Sequence, residues 1–181
     1  MLAFIRNHLK RVALCRAIAE RNLLQVQELI GRGLDLNFVV KGSSPLCRAV
    51  WRLEDWKTPD RRIVDFLLTH GASAGKPGND SLLVGAARIG DHGLIDLALD
   101  AGHDIHFRPR HTPTPLQVAA FRNKPDTMRY LIAKGASKED FDVEKCSWTS
   151  INPETISVLL ELGVKVPDDV VECVREGIDP K

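Results

Sequence analysis

At 181 residues and 20.1 kDa, with 44% hydrophobic and 27% charged residues, the chain has the make-up of an ordinary globular protein, large enough to bury a core without disulfide or metal staples. Its 25 Lys and Arg against 24 Asp and Glu exclude a uniformly basic nucleic-acid binder, and no apolar run approaches the roughly 20 residues that span a bilayer as a helix. The balance is uneven, with 21 basic against 13 acidic residues over 1–138 and 4 against 11 over 139–181, so a basic body carries an acidic end.

The opening segment, MLAFIRNHLKRVALCRAIAERN, places four basic residues ahead of its first acid, Glu20. Such a stretch has the character of an organellar presequence. A capping helix is the preferred expectation, because Leu14 to Ala17 already belong to a pattern that recurs downstream. Charges interrupt any secretory apolar core. Cys15, Cys47, Cys146 and Cys173 stand far apart with no CxxC pair, the usage of free thiols in a reducing compartment. Cytoplasm or nucleus is therefore expected rather than secretion.

Self-comparison shows the pattern. A leading Leu and a closing Gly are 19 residues apart in Leu14–Gly33, Leu83–Gly102 and Leu116–Gly135, with an Ala three residues after each Leu. Leu46–Gly71 holds six residues more, with Ala49 in register. Shifting residues 114–137 back by 33 lays Leu116 on Leu83, Ala119 and Ala120 on Ala86 and Ala87, and Met128 on Ile95. Thr114-Pro115 and Ser44-Pro45 open a first helix, since a hydroxyl can cap it and Pro is tolerated in the first turn. The following Leu and Ala share one face, and small side chains there let a second helix come close. That second helix is read at Ile63–Thr69, Leu94–Asp100 and Thr127–Lys134, each closed by a Gly able to adopt the left-handed conformation. Two helices this short cannot bury their apolar faces alone, so they must stack on neighbours.

At TPLQVAA (114–120) and YLIAKGAS (130–137) the chain resembles the ankyrin repeat family. SPLCRAV with FLLTHGAS is the next best copy, LCRAI with ELIGRGLDLN a third without Thr-Pro, and the copy at Leu83 replaces Thr-Pro by Ser81-Leu82. A degenerate fifth copy ends in ISVLLELG, with its first helix cut down to a piece near Asp142–Ser150. PDDVVECVREG follows as a terminal helix, opened by Pro167 with acids in its first turn. The expectation is an all-α ankyrin-repeat solenoid of about five stacked helix-turn-helix repeats joined by hairpin loops. It forms a single domain over 1–181, with repeats at 11–37, 38–74, 75–106, 107–137 and 138–166 and a capping helix over 167–181.

The resemblance implies a protein-binding scaffold rather than an enzyme, with no cofactor and no metal, whose partner lies against hairpin tips and first helices. Counting from each leading Leu puts Ala19 and Glu20, Trp51 and Arg52, Arg88 and Ile89, and Phe121 and Arg122 on the first-helix positions. Phe38, Val40, Lys41, Arg108, Arg110 and His111 fall on hairpins, and the third hairpin offers Gly75, Pro77, Gly78 and Asp80. The expected partner-binding set is Phe38, Lys41, Trp51, Arg52, Arg88, Ile89, Arg108, Arg110, His111, Phe121 and Arg122, a groove for an acidic protein segment with apolar anchors. Trp and Arg are the residue types that dominate binding hot spots. Against this stands a blander reading in which Trp51 and Phe121 pack between repeats, the arginines are solvated, and the acidic end folds back as a counterweight.

Other chemistries are weaker. The expansion at Arg52–Asp60, with Trp56, Lys57 and Pro59, offers either a second contact or a tucked loop. His103, Asp104, His106 and His111 cluster within nine residues but lie on a hairpin that sends side chains to opposite sides, with no Cys nearby. No phosphate-cradling Gly motif is present. Cys15 and Cys47 occupy equivalent packing positions. Leu29, Asp35 and Asn37 resemble the spacing of asparaginyl hydroxylation targets in animal ankyrin proteins. Nucleic-acid binding through the arginines, or an enzyme pocket near His103–His111, are the alternatives; the first predicts affinity that falls steeply with salt.

Overall fold

The computed structural model describes residues 2–51, 61–74, 82–108 and 113–176. Their α-helices are α1 (Leu2–Ala19), α2 (Leu23–Gly31), α3 (Pro45–Trp51), α4 (Arg62–Thr69), α5 (Leu82–Ile89), α6 (His92–Asp100), α7 (Pro115–Phe121), α8 (Pro125–Ala133), α9 (Pro153–Glu161) and α10 (Asp168–Arg175). Among the described residues there is no strand, and the one extended pairing is the Val40–Ser43 bridge at a hairpin turn. The helices alternate between an inner row, in which α1, α3, α5 and α7 pack successively on one another, and an outer row packed behind it.

Local chemistry explains the boundaries. Thr114 accepts the N–H of Gln117 at 3.2 Å and Pro115 fills the first helical position of α7. Ser44 does the same for Cys47 in α3, Asp91 for Leu94 in α6 and Asn152 for Thr155 in α9. Gly33, Gly71, Gly102, Gly135 and Gly163 close the outer-row helices with φ between 72° and 109°, a conformation that costs an L side chain energy. The tight turn inside three of the pairs also takes positive φ, at Arg21 (φ 56°) in the first unit, Gly90 in the third and Asn123 (φ 51°) in the fourth.

The core runs continuously along the stack. Leu14, Leu46, Leu83 and Leu116 are fully buried, as are Ala17, Ala86, Ala87, Ala119 and Ala120, so the inner helices meet across methyl groups. The outer row is tied instead by polar bridges. Arg61 pairs with Asp91, Tyr130 Oη donates to Asp96 at 2.6 Å, Lys134 pairs with Asp96 at 2.8 Å, and Arg129 lies 3.6 Å from Glu161. His92 stacks flat on Tyr130 with centroids 4.1 Å apart.

The last unit departs from the pattern. Where an inner-row helix would follow α8, the chain makes three 3-10 turns, Lys138–Asp140, Val143–Lys145 and Trp148–Ser150, before α9. These turns explain why Gly135 and Gly163 are separated by less than one repeat. At the other end α1 is 18 residues long and begins at Leu2, well ahead of the residues that carry the repeat pattern.

Candidate ligand-binding cleft

Trp51 ends α3, Arg88 lies in the last turn of α5, and Phe121 ends α7 with Arg122 as its C-cap, so these side chains sit at the same end of three adjacent inner helices. The structure brings all four together. With Val84, Pro113 and Val118 they line a cleft of about 380 Å³. The Arg88 guanidinium lies over the Trp51 ring, 4.8 Å from its centroid, a cation–π arrangement. Burial and, after it, the nearby charge of Arg122 push Arg88 down to about 10, so it stays cationic at neutral pH in a site that disfavours the charge. A ligand carboxylate at this point would offset that penalty.

Gly85 makes room for the indole. A Cβ at residue 85 would meet Val50 Cγ1 at 3.0 Å and Trp51 Nε1 at 3.4 Å, and Val50 is fully buried. The Trp51 Nε1 atom is covered, and no hydrogen-bond partner for it is present among the described residues. The ring therefore lies against α5 at Gly85 and offers its face to Arg88. Phe121 is half-buried and serves two surfaces, because it also meets Phe141 edge-on at 6.4 Å, and Phe141 in turn lies 6.1 Å from Trp148.

Other residues expected in the groove are placed elsewhere. Phe38 is buried in the core with only 4% exposure, its ring covered by Arg11 at 5.0 Å, because the hairpin turns it inward; it is not a tip residue. Lys41 is exposed in the same hairpin turn with φ 52° and does not line the cleft. Ile89 is half-buried and packs against the core. Arg108 is exposed but ion-paired with Asp142, so a portion of the acidic end does act as a local counterweight. Arg52, Arg110 and His111, the Trp56 loop and the hairpin from Gly75 to Asp80 lie outside the described residues.

The expected set leaves out Val84, Gly85, Pro113 and Val118, although Pro113 lies in the hairpin window counted back from Leu116. A helical signal for two of them exists: Val84 stands four residues before Arg88 and Val118 four before Arg122, one turn back on the same face. The His-bearing hairpin is committed to structure. His103 is buried, and His106 Nδ1 bonds Asp140 at 2.8 Å across to the next unit. Asn37 makes the equivalent bridge two units earlier in the stack, donating to the Gly71 carbonyl at 3.0 Å and accepting from the Ser73 N–H and Oγ at 2.8 Å. Among the described residues no three His, Cys, Asp or Glu side chains stand together as a metal site. Nor is any described helix long and apolar enough to cross a membrane.

Comparison with known proteins agrees with the geometry. The ankyrin repeat family model matches residues 114–142, which run from the cap of α7 through α8 to Asp142. An ankyrin repeat protein of fowlpox virus (strain NVSL) is 31% identical over 134 residues, covering 71% of this chain. The match takes in 31% of the viral protein, so the chain spans less than a third of that relative's length. Ankyrin repeats are generally protein–protein interaction modules, and the family is typically non-enzymatic. With four helix pairs in register, a methyl-lined inner row and glycine-closed outer helices, the chain belongs to the ankyrin repeat family.

Proposed function

We propose that the protein is a non-enzymatic interaction module, an adaptor, inhibitor or assembly factor. It binds an acidic segment bearing an apolar anchor in the cleft between Trp51, Arg88, Phe121 and Arg122. The observation that carries this reading is a cation held against an aromatic face beside a second cation, above an apolar floor of Val84 and Val118. A carboxylate would answer the two guanidinium groups, and an aliphatic or aromatic side chain would fill the cavity between them. Four free cysteines, with Cys15 and Cys47 buried, support a reducing compartment, cytoplasm or nucleus, as the place of action.

The test is charge reversal. Arg88→Glu combined with Arg122→Glu is expected to lower affinity for acidic peptides carrying a Leu or Phe anchor by at least about 10-fold, read by fluorescence anisotropy. Arg122 is exposed and Arg88 half-buried, and melting curves check that the double variant stays folded. Peptide affinity unchanged by the double substitution would remove the cleft from the proposal. Single-stranded nucleic acid that bound in its place, with a steep loss on adding salt, would redirect it.

A further inference from the structure

The two outermost α-helices among the described residues, α1 and α10, are chemically unlike. At the first end, α1 contacts α2 and α3 with one side only. On its other side Ile5, Leu9 and Val12 are 47%, 61% and 42% exposed, spaced at i, i+4 and i+7 so that they form one apolar stripe. The stripe is bordered by the exposed cation Arg6 and the half-exposed Lys10.

At the last end, α10 packs on α9 through Val170 and the half-buried Val171 and Val174. It turns outward Asp168, Asp169, Glu172 and Glu176, with Arg175 the one exposed cation of the helix, so the face is net acidic. Beside that face lies a hollow of about 410 Å³ whose lining joins Trp148, Pro167, Val170 and Cys173 to the polar Ser147, Thr149 and Asp169.

We propose that these ends bind each other between molecules, the α1 face of one copy docking on the α10 face and hollow of the next. Within the chain each unit covers the apolar flank of its neighbour, and a second copy would continue that arrangement past the last unit. Charge decides the pairing. Two α1 faces would oppose Arg6 and Lys10 to themselves, and two α10 faces would oppose four carboxylates and one guanidinium to the same set, net negative against net negative. Only the head-to-tail contact sets positive against negative. Such a contact is heterologous, so it builds short open chains or a ring rather than a closed twofold dimer. It leaves the Trp51–Arg88 cleft on each copy untouched and stands independently of the function proposed for it.

Sedimentation velocity on the full chain tests this. In buffer of about 50 mM salt the mean mass is expected to rise between about 10 and 200 µM protein, and to fall back toward the monomer in about 500 mM salt, where exposed charges are screened. Ile5→Ser with Leu9→Ser, and separately Asp169→Lys with Glu172→Lys, should each give a monomer, with circular dichroism melting curves confirming that both variants are folded. A 1:1 mixture of the two variants should regain a dimer and go no further, because each supplies the face the other lacks. A wild-type protein that stays monomeric throughout overturns the proposal. So does association lost with the α1 variant but kept by the α10 variant, which would identify α1–α1 pairing.

Discussion

The joint between α5 and α7 and the joint between α7 and the turns that follow it serve the same purpose by opposite means. In the first, Ala86, Ala87, Ala119 and Ala120 are all fully buried, so small side chains let the two helices approach closely. In the second there is no partner helix. Thr114 Oγ1 donates to the Asp140 carbonyl at 2.6 Å, Gln117 Nε2 to the Asp142 carbonyl at 3.0 Å, and Asn123 Nδ2 to the Ser150 carbonyl at 3.0 Å, while Asn152 N–H donates back to Asn123 Oδ1 at 2.7 Å. A regular joint needs small side chains and satisfied helices. An irregular one exposes backbone carbonyls that α7 must satisfy with its own polar side chains. The cleft lies where the two joints meet, because Phe121 belongs to both.

The dry joint is the more sensitive to volume. Ala119→Leu adds bulk where two helices touch and is expected to destabilise the protein by about 3 kcal/mol, read from urea unfolding midpoints. A cost near zero would mean that the inner helices are not held by close approach. The polar joint should respond to chemistry rather than size. Thr114→Val keeps the shape but removes both the cap on Gln117 and the donor to Asp140, at an expected cost of about 2 kcal/mol. Amide hydrogen exchange distinguishes the two variants. Thr114→Val should accelerate exchange across 138–150 first, whereas Ala119→Leu should loosen α5 and α7 together.

That contrast also marks how much is legible in the residues. The dry joints announce themselves, because a Leu and an Ala at fixed spacing have one physical use and repeat it. Trp51, Arg88, Phe121 and Arg122 follow by counting along the same frame, and they share one cleft. Phe38 does not, since a hairpin residue close to a tight turn can face either way, and only Arg11 and the neighbouring core decide it. The polar joint is hidden for a different reason: Thr114, Gln117 and Asn123 bond to backbone carbonyls, which carry no signature in the side-chain sequence. The same counting turns Arg108 toward a partner, although Asp142 neutralises it from 34 positions away. Long-range charge pairing is visible only as an acidic excess beyond residue 138, not as a partner for a particular arginine.

Cys146 probes the same contrast with the smallest effect. It sits between two of the 3-10 turns, and burial alone pushes its thiol from 9.0 up to about 11, although the segment has no helix to shelter it. The polar joint therefore shelters this one half-buried thiol although Glu144, Ser147, Thr149 and Ser150 around it are exposed. Because burial disfavours the thiolate, Cys146 should be alkylated by iodoacetamide about 100-fold more slowly at pH 8 than an unperturbed thiol, with a rate that climbs until about pH 11. The sign for stability follows from the same shift. Below about 9 both folded and unfolded chains keep the proton and nothing changes; above it the unfolded chain ionises first, so stability declines as pH rises toward 11. Thr114→Val should raise the alkylation rate by opening the segment, and Ala119→Leu should do so only in proportion to global unfolding. Equal acceleration by both would mean that the two joints open as one.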